Sequence, residues 1–579
     1  MTRLAKLKSA TSLHDLAMIL GYTAKGLAYV IHGISDAAKY TDFPIKKRSG
    51  GTRTISAPVP ELKRLQKHLA QLLNDCIVES DASRGVKNTL SHGFRPKHSI
   101  MTNAMQHRKH RYVFNVDLQD FFGTINFGRV WRFLEKNREF KLNSTIARTI
   151  AQIACHNGKL PQGSPCSPVL SNLIAHMVDI SMVQLAARTK CHYSRYADDL
   201  TFSTNEKNFP SLIATSITDS TEWVASPRLI REVRRCGFEL NTAKTRMQFK
   251  SHRQDVTGIV VNSKVNVPSD YVRNVRAMAH CYLNTGEYYV ERTFKDDNGL
   301  WQRDKALGRE AQLRGMLSFI DSVRIFEQRT SAEIGPDGHL PRVDLKTLSG
   351  HPRLYRRFLF FTKFYQPSQP LIICEGKTDN VYIRCALRSL ATAFPELVKQ
   401  KAKEVDFLIN FFSYTKTTDR VLHLGGGTGD LNNFIGRYGS EVKDFREIKN
   451  RQPVIILIDN DSGSKDSFAA IKRATGSTAS VDGSQPYYEV CDNLYVVPIP
   501  KLNGKDTTIE HYFAKKVLNT KLSGKVFSGT DKFDAATQYG KHLFAEHVIK
   551  KNRDTIVFSK FSSILVRIRQ VIEYHAAKA

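Results

Sequence analysis

Leu13, Leu16, Ala17 and Leu20 recur at three- and four-residue intervals, so one apolar stripe marks an amphipathic helix near the start of the chain. From about residue 40 the pattern shifts to short β-branched and aromatic runs between basic loops, and residues 112–116 (YVFNV) predict a strand. The segment CHYSRYADDLTFS, residues 191–203, alternates apolar and polar positions on both sides of an Ala-Asp-Asp turn, which predicts a β-hairpin. Residues 265–365 read as mostly helical and strongly basic, with RNVRAMAHCYL and LRGMLSFIDSVRIF as the clearest helices and EIGPDGHLP as a surface loop. After Gln366-Pro367-Ser368-Gln369-Pro370 the text becomes apolar strand, glycine or acidic turn, then helix: LIIC-EGKTD, VLHL-GGGTGD, VIILI-DND. Strands alternating with helices predict parallel βαβ units, so the main domain boundary is placed near residue 366.

Composition narrows this picture. The chain of 579 residues is too long for one simple domain, and 41% hydrophobic with 24% charged residues excludes wholesale disorder. The 86 Lys and Arg against 55 Asp and Glu leave a formal charge of +31, an excess that implies a polyanionic partner bound through phosphate groups. The 9 cysteines contain no C-x-x-C pair, which argues against a disulfide framework and a zinc site and suits a reducing compartment. The N-terminal text lacks a long apolar region with a small-residue cleavage site, and no run approaches the roughly 18 apolar residues of a membrane span. A cytoplasmic protein without a membrane partner is expected.

Two acidic constellations carry candidate chemistry. In the first, Asp198 and Asp199 stand at the hairpin tip and Asp117 closes the strand of RYVFNVDLQDFF. Carboxylates brought together repel one another and stay ionised only with cations between them. Two Mg2+ ions so held are the apparatus of in-line nucleotidyl transfer.

YADD at 196–199 resembles the YxDD box of reverse transcriptases, and the other boxes follow in order. DLQDFF at 117–122 resembles the first metal-binding motif, LPQGSPCSPVLSN at 160–172 the motif that guides template and nucleotide, and NTAKT at 241–245 and VTGIVVN at 256–262 the two boxes after YxDD. Five motifs in register resist chance. The resemblance implies a right-hand fold and a two-ion Mg2+ site at Asp117, Leu118, Asp198 and Asp199. Lys47 and Arg53 resemble fingers residues that grip a triphosphate, or form an ordinary basic loop. The same resemblance implies that Gln162 lies in a turn beneath the nascent base pair, which is also a helix-entry turn, and that Phe122 is a gate against a ribose 2′ hydroxyl rather than a core aromatic.

Asn103-Ala104-x-x-His107 and Val256-Thr257-Gly258 resemble signatures of retron reverse transcriptases, although a lone NAxxH is also the mark of a helix with a satisfied histidine. The retron resemblance implies RNA binding through Asn103, His107, Val256, Thr257 and Gly258, a cognate non-coding RNA as template and primer, deoxynucleoside triphosphates as substrates, and a branched RNA–DNA product.

In the second constellation Glu375 closes LIIC, Asp379 is placed to cap the helix that follows, and Asp459 and Asp461 follow VIILI, two apart and so on one side of an extended chain. Acidic groups at the carboxyl ends of parallel strands lie where α/β sheets place active sites. With HLGGGTGD at 423–430 between them they resemble a Toprim domain, and Glu510 resembles the later acid of OLD-type nucleases, or else a helix start. The resemblance implies Mg2+ or Mn2+ at Glu375, Asp459 and Asp461 and hydrolysis of a nucleic-acid target.

The expected architecture is a multidomain α+β and α/β chain: reverse transcriptase fingers and palm at 1–265, a helical basic thumb at 266–365, and at 366–579 a Toprim α/β domain with a parallel sheet and a C-terminal helical extension. The expected function is a retron polymerase fused to a nuclease effector in antiphage defence, with homo-oligomers open. The alternatives are an RNA–DNA-binding scaffold whose Toprim half cuts nothing, or a repair polymerase with a processing nuclease.

Overall fold

The computed structural model describes residues 1–46, 51–85, 90–217, 222–295, 300–330, 340–401, 404–530 and 532–578. The chain divides into two compact units. The first comprises Met1–Arg273, Val290–Ala306 and Ser322–Ser331; the second comprises Asn274–Tyr289, Leu307–Asp321 and Ala332–Ala579.

In the first unit the expected amphipathic helix is α1 (Leu13–Leu20), closed at its start by a reciprocal Ser12–Asp15 capping box and at its end by Gly21 in the left-handed conformation. Strands β1 (Tyr40–Lys46) and β2 (Thr52–Pro58) form an antiparallel hairpin that pairs Ile45 with Arg53. Lys47 lies outside the described residues. Helix α2 (Pro60–Ser83) starts on a proline, where the missing N–H is no loss, and buries a stripe from Leu62 through Leu73 to Cys76. Helix α3 (Ile100–Met105) follows.

The central sheet is antiparallel, with β3 (Tyr112–Leu118) between β5 (Asp199–Thr204) and β6 (Leu240–Phe249), and β4 (His192–Tyr196) beyond β5. Strands β7 (Asp255–Val256) and β8 (Ile259–Val260) make a two-residue hairpin whose turn is Thr257 and Gly258, both at positive φ. Helix α4 (Ser167–Arg188) packs in the core through residues such as Leu170, Ile174, Val178 and Met182. Contrary to the sequence expectation, α4 is long and apolar enough to cross a membrane by length and composition. Its apolarity reflects burial inside the unit.

In the second unit, the expected helices of the basic middle region appear as Ser269–Thr285 and Glu310–Thr330, both divided between the two units, and α5 (Gly350–Phe360). They do not form a unit of their own. Tyr282 packs on Phe358 and Phe361, and Phe360 packs on Phe434 and Tyr438, so their aromatic residues complete the second unit's core. Within EIGPDGHLP, residues 333–339 lie outside the described residues.

The second unit's sheet has β9 (Leu371–Cys374) flanked by β10 (Asn410–Phe411) and β11 (Val454–Ile458), then β13 (Leu494–Pro498) and the edge strand β12 (Tyr488–Cys491). All neighbours are parallel except β12, which runs antiparallel to β13. Strands β9, β11 and β13 are buried at every residue, as strands covered on both faces must be. Helices α6 (Asp379–Ser389), α7 (Thr428–Val442), α8 (Lys465–Thr475) and α9 (Ser562–Lys578) complete the unit.

Candidate active sites

In the first unit the strand register brings the three aspartates together. Asp117 and Asp199 are directly paired across β3 and β5, and the Leu118 N–H donates to the Asp198 carbonyl at 2.9 Å. Asp117 is buried. The two-residue step from Asn115 to Asp117 spans Arg246 to Asn241 on β6, and this bulge carries Lys244 to Asp117. Lys244 Nζ lies 2.8 Å from Asp117 Oδ2, and Asn241 donates to Oδ1 at 3.3 Å.

Burial, reinforced by repulsion from Asp117, raises the Asp198 carboxyl; burial and then Asp198 and Asp117 push Asp199 up to about 6. Lys244 opposes both shifts, and Arg53 opposes that of Asp198. Such a mutually repelling carboxylate set suits a hard divalent cation with oxygen ligands. Among the described residues, no three or more His, Cys, Asp or Glu side chains already converge as a metal cage.

The remaining expected residues fall into two groups. Phe122 is half-buried against Phe121 and the exposed Phe94, with ring centroids 5.3 and 6.1 Å away. The Gln162 carbonyl accepts from Ser56 N–H at 2.8 Å, which presses the QGSP turn onto β2. Gly163 there has φ +126°, and a Cβ would meet the Ser56 carbonyl at 2.5 Å, so only glycine fits.

Asn103, His107 and Val256 are a correction. All three are fully buried and offer RNA no surface. His107 Nδ1 bonds Ser203 Oγ at 2.8 Å and Nε2 bonds Ser194 Oγ at 2.7 Å, while Ser194 donates to Asn103 Oδ1 at 2.6 Å. The network ties α3 to β4 and β5. Thr257 Oγ1 donates to the Ile100 carbonyl at 3.3 Å, which ties the VTG turn to the start of α3; of the VTG residues only Gly258 is exposed.

In the second unit Glu375 and Asp459 stand just beyond β9 and β11. Glu375 N–H donates to the Leu457 carbonyl at 3.0 Å, Asp459 N–H to Glu375 Oε2 at 3.2 Å, and Thr428 Oγ1 to Glu375 Oε1 at 2.6 Å. Gly426 and Gly427, at φ +103° and +97°, make the turn that delivers Thr428.

Asp379, expected only as a helix cap, is buried and accepts from Gly376 N–H at 2.8 Å, while Thr378 takes the cap position. Burial, then Glu510, raises Asp379 to about 7; burial, then Asp379, Glu375 and Glu510, raises Asp459 to about 8. Glu510 is buried in a short 3₁₀ turn, with Lys541 Nζ 3.1 Å from its Oε1.

Asp461 takes part in a local cap. Its Oδ1 accepts from Gly463 N–H at 3.0 Å and Ser464 Oγ at 3.2 Å, capping the turn after β11. Strand β11 ends at Ile458, but Asn460 makes a β-bridge with Thr507 and Asp461 keeps an extended backbone at φ −128° and ψ −175°. The electrostatic group is Glu375, Asp379, Asp459 and Glu510, with Lys541 as its cation.

Comparison with known proteins finds matches to the segment that contains the first site. The family model described as reverse transcriptase (RNA-dependent DNA polymerase) matches residues 45–261. The retron Mx162 reverse transcriptase of Myxococcus xanthus is 35% identical over 292 residues, covering 46% of this chain and 58% of that protein. The retron Mx65 reverse transcriptase of the same organism is 32% identical over 302 residues, covering 49% and 65%. The chain thus spans less than two thirds of the length of these two relatives. Among solved structures, telomerase from Candida albicans with a fragment of telomeric RNA overlaps 55% of this chain and 58% of that one, at 10% identity and TM-score 0.28. Residues 45–261 of this chain are thus similar to a reverse transcriptase domain, and the two relatives that share the region are retron reverse transcriptases.

Proposed function

We propose that the chain is a retron RNA-directed DNA polymerase that copies a cognate non-coding RNA into branched, RNA-linked single-stranded DNA. The reading extends to a fused metal-dependent Toprim nuclease acting as effector in antiphage defence. The observation that carries the polymerase reading is the register that sets Asp117 against Asp199 with Asp198 at the adjoining turn, inside the matched segment.

Asp117, Asp198, Asp199 and the Leu118 carbonyl would hold Mg2+, which when bound supplies Lewis-acid stabilisation of charge on the triphosphate and the attacking hydroxyl. Lys244 holds the carboxylates together electrostatically. Arg53 binds triphosphate oxygens, Gln162 and Gly163 shape the floor under the base pair, and Phe122 excludes the 2′ hydroxyl. The excess of +31 charges favours the RNA and its DNA product.

For the second unit, four neighbouring acids at the carboxyl ends of parallel strands support Mg2+ or Mn2+ at Glu375, Asp379, Asp459 and Glu510. The capping role of Asp461 favours a second reading, a Toprim-like scaffold that binds without cutting. Glu375→Gln with undiminished phage resistance would support the scaffold.

The polymerase test is direct. Asp198→Asn and Asp199→Asn should each abolish primer extension while RNA binding persists, because a lost carboxylate unsets the charge-stabilising site and leaves the basic surface intact. Normal extension by either variant would sink the reading.

A further inference from the structure

Ala197, the residue before Asp198, is a non-glycine residue at φ +55°, a conformation that persists only where its surroundings hold it. It is held from two sides.

On one side, Arg195 Nη1 donates to the Ala197 carbonyl at 2.9 Å. The guanidinium is fixed in turn by a fork onto Asp179, with Nε to Oδ1 at 2.7 Å and Nη2 to Oδ2 at 2.8 Å, and both side chains are wholly buried. Tyr193 OH donates to Asp179 Oδ1 at 2.9 Å. Burial alone would raise the Asp179 carboxyl, but Arg195 outweighs it and holds the carboxyl well below the usual range.

On the other side lies Gly93. A Cβ there would meet Ala197 N at 2.5 Å and Tyr196 C at 3.2 Å, both backbone atoms that cannot swing away. Asn172 joins the two sides: its Nδ2 donates to the Gly93 carbonyl at 2.6 Å, and its Oδ1 accepts from Arg195 Nη1 at 3.1 Å.

We infer that Gly93 and Arg195, joined through Asn172, are positioning residues for polymerisation: they lock the left-handed turn that sets Asp198 against Asp117. The inference rests on the polymerase reading above. Adding a methyl at Gly93 must move the turn by roughly an ångström to reach ordinary contact, a misplacement that costs catalysis on the order of 100-fold.

The test uses the full chain with Gly93→Ala, Arg195→Lys and, as control, Asp198→Asn. Arg195→Ala is avoided because it strands a buried carboxylate and threatens folding. Gly93→Ala should lower kcat for primer extension on the order of 100-fold and raise the Mg2+ concentration needed for half-maximal rate. Its KM for nucleotide, RNA binding and unfolding midpoint should stay near parental. Arg195→Lys keeps the charge pair but cannot span Asp179 and Ala197 at once, so it should shift the Mg2+ requirement in the same direction. A purely structural role would instead lower the folded fraction while the surviving enzyme kept the parental Mg2+ requirement, and that result overturns the inference. So does parental kcat with parental Mg2+ dependence in Gly93→Ala. If Asp198→Asn is dead while Gly93→Ala is normal, only the positioning role falls; if Asp198→Asn is active, the polymerase reading falls with it.

Discussion

His107 shows how burial fixes the state of a single residue. Burial first, then the nearby His110, His192 and His92, depresses its pKa well below 6.5, so the ring is neutral and each nitrogen is committed to a serine hydroxyl. The unfolded chain takes up a proton near 6.5 that the folded ring refuses. Stability is therefore full above that pH and falls as pH drops below it. Denaturant midpoints measured from about pH 8 down to about pH 5 should fall in the parent, and His107→Gln should flatten part of that slope. The variant should also lose roughly 1–3 kcal/mol for each hydroxyl left unpaired. An unchanged slope would show that the charge change lies elsewhere.

At the scale of elements, a strand end decides which acids share a site. Asp459 follows β11 directly and meets Glu375, Asp379 and Glu510 electrostatically, whereas Asp461 caps the turn that follows through its Oδ1. A carboxyl raised from 3.8 to about 8 costs stability as pH rises from its unfolded value towards its folded one, because the folded state binds the extra proton. Asp459→Asn should thus raise the melting temperature of metal-free protein near pH 8 while ending metal-dependent hydrolysis. Asp461→Asn keeps an oxygen that can cap the turn, so melting should barely change and measurable hydrolysis should remain. Equal loss of hydrolysis in both would place Asp461 among the metal-holding residues.

At the scale of the whole molecule, each unit has its own sheet and its own acidic site, so the two proposed chemistries should separate by mutation. Glu375→Gln should leave single-stranded DNA yield at the parental level and end both phage resistance and toxicity. Asp198→Asn should remove the DNA product and either lose defence or release toxicity that a second Glu375→Gln change cures. DNA yield, growth curves and phage plating of single and double mutants decide this. Full resistance in Glu375→Gln would remove the effector role from the second unit.

Local pattern carried the parts of the protein that depend on neighbours in the chain. Alternation around Ala197-Asp198 marked the β4–β5 hairpin, the apolar runs before Glu375 and Asp459 marked β9 and β11, and motif order placed Asp117 with Asp198 and Asp199. Lys244, already visible inside NTAKT, needed the β6 bulge to acquire its place beside Asp117. Tertiary structure decided what no spacing encodes. Asn103 and His107 carry polar atoms that suit either solvent or a buried network, and only the packing of α3 on β4 and β5 selected burial. Lys541 reaches Glu510, and Asp379 joins Asp459, because parallel strands bring distant segments to one sheet edge. Side-chain chemistry and period are local properties, but desolvation and charge proximity arise only when residues far apart in sequence share a small volume.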